Sequence, residues 1–193
     1  MSLVSIVATE LFLCVVCDGR VMDHTKNPVK EDFKKFIVPC DGGVIAFAGG
    51  KEPSIEFIYQ SGLASATKDD LTSVDFANKI NKELIRSPLS AFKIMLAFGG
   101  IDSKGTIAFH TFSSLEPKVQ RYTPVGNDIS FAFLHNGENV DLDFGAALLD
   151  GFKSMGGLCS PDTTIKAQTM LNSRVAAIDD SVNDNTFSHV IIR

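Results

Sequence analysis

The sequence predicts an α+β protein, a four-layer αββα sandwich in which two antiparallel sheets are stacked and each outer face carries a pair of helices. The predicted elements come in blocks: two hairpins, two helices, a set of strands, two helices and a last strand. Several strands are apolar on both faces, which indicates that both faces are covered. A doubly wound parallel sheet would require regular β-α-β alternation, which this order lacks.

The first half of the chain supplies the two hairpins. The first lies in residues 1–20 and turns at Thr9-Glu10, and a polar excursion over 21–32 follows it. The second turns at Asp41-Gly42-Gly43, a sequence with strong turn preference. Its predicted strands are Lys34 to Cys40 and Val44 to Ala48, and Gly49-Gly50 ends the second of them.

Helical spacing begins after these hairpins. Ser73 is the predicted N-cap of the clearest early helix, and Ser160-Pro161 starts the last one. The predicted helices are 54–66, 73–87, 143–155 and a helix from Ser160 through Ile178; the predicted strands between and after them are 93–98, 106–112, 118–122 and 189–193.

Composition limits the classes of function. The chain has 193 residues, enough for one well-buried domain, and we expect residues 1–193 to form a single domain. Its net charge of −5, with no basic stripe, argues against a nucleic-acid partner. The longest apolar run, Leu11 to Cys17, is far shorter than a membrane span, and no signal peptide precedes it. We therefore expect a cytoplasmic protein with no membrane partner.

The cysteines do not indicate a metal or redox site. Cys14 and Cys17 are three positions apart on one predicted strand and therefore face opposite sides of it. The four histidines supply no matching ligand spacing. We interpret the cysteines as free thiols of a cytoplasmic protein and expect no metal and no cofactor.

The second residue carries the most specific chemical signal. If Met1 is removed, Ser2 becomes the amino terminus, and its α-amine lies beside its own hydroxyl. A single residue can then provide both the nucleophile and the general base. A retained Met1 would block that amine.

Three charged residues follow Ser2 at informative distances. Asp18 follows it by sixteen positions, Arg20 by eighteen and Lys34 by thirty-two. The other motifs are Val44-Ile-Ala-Phe-Ala-Gly-Gly50, Gly99-Gly-Ile-Asp102 and Asp180-Ser-Val-Asn183. In this order and at these separations, they resemble the proteasome β subunit and its bacterial ring-protease relatives, which are N-terminal nucleophile (Ntn) hydrolases. The resemblance covers nearly the whole chain and implies the Ntn-hydrolase sandwich.

The resemblance also implies roles for individual residues in amide or peptide bond hydrolysis. Ser2 would attack the carbonyl, its α-amine would accept the proton, and Lys34 would lower the pKa of that amine. The remaining roles would be charge neutralisation by Asp18, shaping of the strand end by Arg20, an oxyanion-binding N–H from Ala46, and orientation of the amine by Asp180.

The sequence departs from the family pattern at four positions. Ser2 replaces the usual threonine, and Ala46 maps to the glycine that binds the oxyanion. Asn127 and Asn183 map to two supporting serines; both can form hydrogen bonds, but neither provides a hydroxyl that could relay a proton.

Three interpretations of the function follow from these features. The first is an active peptidase or amidase with Ser2 as nucleophile and a peptide or amide substrate. The second is a catalytically inactive ring or scaffold subunit of the same fold, which the two asparagines favour. The third is a small-molecule amidase of the wider superfamily. The resemblance implies a homo-oligomer, with a ring as one form, and the sequence carries no signal for an ATPase partner.

Overall fold

The computed structural model describes residues 2–135, 141–157 and 159–193, so Met1 lies outside the described residues. The strands are β1 (Leu3–Ala8), β2 (Phe12–Asp18), β3 (Val21–Met22), β4 (Pro28–Lys30), β5 (Phe36–Ile37), β6 (Gly43–Ala48), β7 (Met95–Ile101), β8 (Ile107–Ser113), β9 (Glu116–Tyr122), β10 (Ser130–His135) and β11 (Thr186–Ile192). The helices are α1 (Lys51–Gln60), α2 (Lys68–Thr72), α3 (Val74–Arg86), α4 (Phe144–Ser154) and α5 (Pro161–Ala176).

Two antiparallel sheets form the centre of the molecule. One has the strand order β10-β1-β2-β11, and the other has the order β5-β6-β7-β8-β9. A separate two-stranded ribbon, β3-β4, forms in the polar excursion. The predicted fold class, a four-layer αββα sandwich of two antiparallel sheets, is confirmed.

Three apolar layers hold the sandwich together. The inner layer lies between the two sheets, and the outer layers lie beneath the helices. Representative inner residues are Val4, Ile6, Leu13, Val15, Val44 and Phe109. On the five-stranded sheet, Phe47 and Phe98 pack against residues of α1, α2 and α3, namely Ile58, Leu71, Ile80 and Leu84. On the four-stranded sheet, Leu3 and Val7 pack against residues of α4 and α5, namely Leu148, Leu171 and Val175. Burial on both faces explains why the strands are apolar throughout.

Both helix starts predicted from caps are confirmed. The Ser73 side chain accepts a hydrogen bond from the backbone N–H of Phe76 at the start of α3. Ser160 forms a capping box with Thr163, and Pro161 occupies the first helical position of α5, where its missing N–H has no cost.

Several strand boundaries differ from the prediction. β7 continues through Gly99 to Ile101, where a break was expected. Gly99 lies close against β8, since a Cβ on it would be 2.5 Å from the Cα of Phe109. That glycine permits close packing of two strands and does not mark a turn. β5 is only two residues long, β11 begins at Thr186, and β10 was not predicted.

The register of β1 places the amino terminus next to the end of β2. Val4 is paired with Cys17 on one side, and Leu3 is paired with His135 on the other. Because β2 ends at Asp18, Ser2 emerges at the edge of the sandwich where that carboxylate lies. Among the residues that the structure describes, no helix is long and apolar enough to cross a membrane.

Candidate active site

Ser2 lies at the wall of a cavity at this edge of the sandwich. The residue is only 5% exposed, and the cavity beside it has a volume of about 340 Å³. Its lining combines charged residues, aromatic rings and a glycine pair: Arg20, Lys35, Phe33, Phe47, Phe92, Gly49 and Gly50. A hydroxyl, a buried cation and a glycine pair therefore border one cavity.

Asp18 supplies the negative charge of the site. Its carboxylate is fully buried and accepts three hydrogen bonds. Oδ1 accepts from the backbone N–H of Leu3 at 2.7 Å, and Oδ2 accepts from the backbone N–H of Arg20 at 2.9 Å and from Lys35 Nζ at 2.5 Å. A buried carboxylate is stable only with such donors, so Asp18 links the segment after Ser2 to the lysine.

The lysine of the site is Lys35, whereas the sequence prediction named Lys34. Lys34 is exposed, and its ammonium lies 4.9 Å from the centre of the Phe36 ring. Lys35 is 3% exposed and forms the ion pair with Asp18. Burial lowers the pKa of Lys35, and the attraction of Asp18 offsets part of that effect. The two lysines are adjacent, and only Lys35 has its side chain buried against Asp18.

Ala46 does not face the cavity, so its expected contact with an oxyanion is not found. It lies in the middle of β6, paired with Phe36 and Ala97, and its side chain is buried between the sheets. The cavity is instead bordered by Gly49 and Gly50, which directly follow β6.

Gly49 has a conformation that other residues adopt only with strain. Its φ is +106°, and a Cβ at this position would lie 2.4 Å from the carbonyl oxygen of Lys93. The backbone therefore needs glycine here to turn beside the cavity. The sequence signal for this turn was the Gly-Gly pair that ends the predicted strand.

The prediction for the acidic residue, Asp180, also differs from the structure. Asp180 is exposed, and its backbone carbonyl accepts a hydrogen bond from Arg20 Nη1 at 2.5 Å. The buried carboxylate is that of Asp179, which accepts from the backbone N–H and the hydroxyl of Ser181 and lies 3.1 Å from His135 Nε2. Burial alone would raise the pKa of Asp179, but the hydrogen bonds from Ser181 and His135 outweigh burial and lower it.

Asn127 lies far from Ser2, contrary to the prediction. It is exposed in the turn between β9 and β10, where the neighbouring Gly126 N–H donates to Glu10 Oε2 at 2.7 Å. Glu10 belongs to the turn that joins β1 to β2, so Asn127 is at the opposite end of β1. The error arose because β10, which runs from this turn back to the Ser2 end, was not predicted.

Asn183 lies close to the site and forms hydrogen bonds with its backbone. Its Oδ1 accepts a hydrogen bond from Gly19 N–H at 2.9 Å, and its Nδ2 donates to the carbonyl and carboxylate of Glu31. Arg20 forms an ion pair with the same carboxylate at 3.1 Å. Arg20 and Asn183 together fix the chain immediately after Asp18.

A second cavity, of about 540 Å³, lies between the edges of β9 and β10. It is larger than the cavity beside Ser2, but neither Ser2, Asp18 nor Lys35 lines it. We assign the candidate site to the smaller cavity because the hydroxyl, the buried ion pair and the glycine turn meet there.

Within residues 2–135, 141–157 and 159–193, no group of three His, Cys, Asp or Glu side chains could hold a metal ion. Cys14 and Cys17 face opposite sides of β2, as predicted: Cys14 Sγ lies 3.9 Å from the Pro161 carbonyl of α5, and Cys17 packs between the sheets. Burial raises the pKa of Cys14 to about 12 and that of Cys17 to about 11, so both are unreactive thiols at neutral pH.

Similarity to known proteins is found at the level of structure. No family model matches the sequence, and no curated protein matches it. The structure of HslV from Trypanosoma brucei superposes with a TM-score of 0.70 at 14% sequence identity, and the match covers 99% of each chain.

Two structures of Anbu, the ancestral β subunit, are also similar. The protein from Yersinia bercovieri has a TM-score of 0.74 at 11% identity, covering 98% of this chain and 81% of the other. The Gly-1 mutant from Hyphomicrobium sp. strain MC1 has a TM-score of 0.73 at 16% identity, covering 100% of this chain and 83% of the other. The chain therefore has the same fold as HslV and Anbu, and the sandwich that the sequence motifs predicted is confirmed.

Proposed function

We propose that this protein is a proteasome-β-like Ntn hydrolase that cleaves amide or peptide bonds with Ser2 as its nucleophile, after removal of Met1. The observation that carries the proposal is the buried Asp18–Lys35 ion pair, whose lysine lines the same cavity as Ser2. A buried pair is costly to maintain, so its position beside a potential nucleophile supports a chemical role.

The proposed reaction begins with attack by the Ser2 hydroxyl on the substrate carbonyl carbon while the Ser2 α-amine accepts the hydroxyl proton. The resulting oxyanion collapses, the C–N bond breaks, and the protonated α-amine returns the proton to the departing nitrogen. Water then attacks the ester with the α-amine again as base, which releases the acid and restores Ser2. Each half-reaction conserves protons within Ser2 and the substrate.

Lys35 and Gly49 have supporting roles in this proposal. A positive charge on Lys35 would disfavour protonation of the nearby α-amine, whose ordinary pKa is about 7.7–8.0, and so increase the free base near neutral pH. Asp18 neutralises and orients Lys35. The backbone at Gly49, which borders the cavity, takes the oxyanion-binding role that had been expected at Ala46.

The alternative is a catalytically inactive subunit of the same fold, and Asn183 supports it. Its Oδ1 accepts from the Gly19 N–H and its Nδ2 donates to Glu31, so the amide provides no hydroxyl that could relay a proton. A small-molecule amidase is the other alternative, since the same chemistry would act on a smaller amide. In each case we propose one domain over residues 1–193. We also propose a cytoplasmic location, consistent with the free cysteines, and a homo-oligomer, with a ring as one form.

The test is covalent labelling of natively expressed protein. Intact mass first establishes whether Met1 has been removed, and incubation with a β-lactone, which acylates activated hydroxyls, follows. We expect one adduct on the wild type and on Ser5→Ala, and none on Ser2→Ala. Ser5 is the matched control because its hydroxyl is equally buried but faces α5. A Met1-free protein without a Ser2-dependent adduct would exclude the hydrolase and support the inactive subunit.

A further inference from the structure

The face of α5 that covers the four-stranded sheet contains buried amides that the proposed chemistry does not use. Thr164, Gln168 and Asn172 follow one another at intervals of four residues, and each is at most 1% exposed. Residues four apart lie on the same face of a helix, so these side chains form a polar row against the sheet. Buried amides destabilise a core unless they form hydrogen bonds, which makes their partners informative.

Gln168 binds the middle of β1. Its Nε2 donates to the Ser5 carbonyl at 2.8 Å and lies 3.0 Å from the Ser5 hydroxyl. These bonds attach the helix to the sheet at a point on the opposite face from the cavity. Neither of these bonds involves Asp18, Lys35 or the backbone groups that donate to Asp18.

Asn172, one turn further along α5, binds a different structure. Its Nδ2 donates to the backbone carbonyl of Asn183 at 2.6 Å. The Asn183 side chain in turn accepts from the N–H of Gly19, the residue between Asp18 and Arg20. Two consecutive hydrogen bonds thus connect α5 to the peptide next to the buried carboxylate.

The Gly19 peptide determines the geometry of the Asp18 carboxylate. Asp18 Oδ2 accepts from the N–H of Arg20, which immediately follows Gly19, and the same oxygen accepts from Lys35. Gly19 has little room to move, because a Cβ on it would lie 2.5 Å from the Glu31 carbonyl oxygen. A shift of Asn183 would therefore displace the donors that hold Asp18 against Lys35.

We infer that Asn172 is a positioning residue, which aligns the Asp18–Lys35 pair from helix α5 through Asn183 and Gly19. The inference rests on the proposed function, since it assigns the pair to the Ser2 site, but the alignment itself is measurable without catalysis. The donor is the part of Asn172 that acts: its Oδ1 accepts no hydrogen bond from the described residues.

The structure offers a matched pair of variants. Asn172→Leu keeps the branched shape and removes the donor, and Gln168→Met keeps the linear shape and removes the equivalent donor one turn earlier. Both side chains are buried on the same helix, and each has an unpartnered carbonyl oxygen among the described residues. A purely structural role would make the two variants alike.

The experiment follows the titration of Lys35 by NMR in the full chain labelled with ¹³C at lysine Cε, with Lys35→Arg to assign the signal. The titratable and charged groups around Lys35, namely Asp18, Cys17 and Arg20, are unchanged in both variants. Because Asp18 favours the charged lysine, we expect Asn172→Leu to reduce the proton affinity of Lys35 about tenfold, and Gln168→Met to change it less than twofold. Ser2 acylation should fall about tenfold in the first variant alone.

Equal titration shifts in the two variants, or no shift in Asn172→Leu, would overturn the inference. If Asn172→Leu does not fold, Asn172→Ser replaces it, since its shorter side chain leaves the Asn183 carbonyl without that donor. If the wild type forms no Ser2 adduct, the proposed function fails, and the Lys35 titration still decides whether Asn172 positions the pair.

Discussion

Asp18 shows how one buried carboxylate can organise a site. It is reached from three sides: from the chain after Ser2, from the chain after Gly19, and from Lys35. Each donor compensates part of the cost of burying its charge. Removal of any donor should therefore affect both the stability of the fold and the geometry around Ser2.

The two adjacent lysines provide a direct test at this scale. Lys35→Met should lower Ser2 acylation by at least about 100-fold, the range attributed to a group that assists proton transfer. Lys34→Met should leave it within about threefold, since Lys34 is exposed and does not line the cavity beside Ser2. Labelling rates at pH 7.5 are the measurement, and equal losses in both variants would contradict the assignment of Lys35.

Stability must be separated from chemistry in that comparison. Lys35→Met leaves Asp18 buried without its cation, which costs about 3–5 kcal/mol. The double variant Asp18→Asn/Lys35→Met removes both charges and should recover much of the unfolding free energy in urea. It should still fail to acylate. Recovery of labelling together with stability would mean that the pair has only a structural role.

Among the elements, the turn after β6 carries the sharpest backbone requirement. Gly49→Ala places a Cβ against the Lys93 carbonyl at a φ of +106°, and we expect a loss of about 1–3 kcal/mol and a lower acylation rate. Gly50→Ala is the control, because Gly50 has a φ of −62° and its added Cβ would lie 3.2 Å from its nearest neighbour, Pro53 Cγ. Urea unfolding of both variants checks the difference, and equal stabilities would argue against backbone strain at Gly49.

The sequence predicted most helices and most strands because their signals are local, but it did not predict the short helix α2 (Lys68–Thr72). Ser73 and Ser160-Pro161 are caps that act within one turn, and the first hairpin pairs residues close in sequence. β10 carries no such signal: it is a short apolar segment, and its partner β1 is more than 120 residues away. Pairing over that distance is determined by the assembled core, which a local pattern does not encode.

The same distinction explains the site. The structure brings Asp18 and Arg20 to the end of the sheet where Ser2 lies, because they follow it through a continuous hairpin of fixed register. Lys34 and Lys35 are adjacent after the 21–32 excursion, and only the packing of the sandwich buries Lys35 against Asp18. Asp180 was predicted from the Asp180-Ser-Val-Asn183 motif, whereas packing buries the carboxylate of its neighbour Asp179.

At the scale of the whole molecule, Asp179 connects distant segments. It joins His135, at the end of β10, to the chain that leaves α5. We expect Asp179→Asn to lower the unfolding free energy at pH 7 by about 1–3 kcal/mol. Asp180→Asn, the exposed neighbour, should change it by less than about 0.5 kcal/mol.

The pH dependence of that effect has a definite sign. The pKa of Asp179 is lowered in the folded protein, so its contribution is complete above the ordinary carboxyl value of 3.8 and is lost as the pH falls through the folded value. The stability difference between wild type and Asp179→Asn should thus shrink in acid, as measured by urea unfolding at pH 7 and pH 3. A difference that grows in acid would contradict the ionised Asp179.

The two layers of sheet bring together residues that no single hairpin contains. Ser2 immediately precedes β1, Asp18 ends β2, Lys35 immediately precedes β5, and Gly49 immediately follows β6. Ser2, Lys35 and Gly49 line one cavity, Asp18 holds Lys35, and α5 supports the pair through Asn172. The proposed chemistry requires one further condition, a free amine on Ser2.

The most direct measurement is therefore peptide sequencing by mass spectrometry of the β-lactone-labelled wild-type protein. The account predicts a single acyl group on the hydroxyl of Ser2, in a peptide that begins at Ser2 with a free α-amine. Labelling at another residue, or an unlabelled amino-terminal peptide that begins at Ser2, would contradict it.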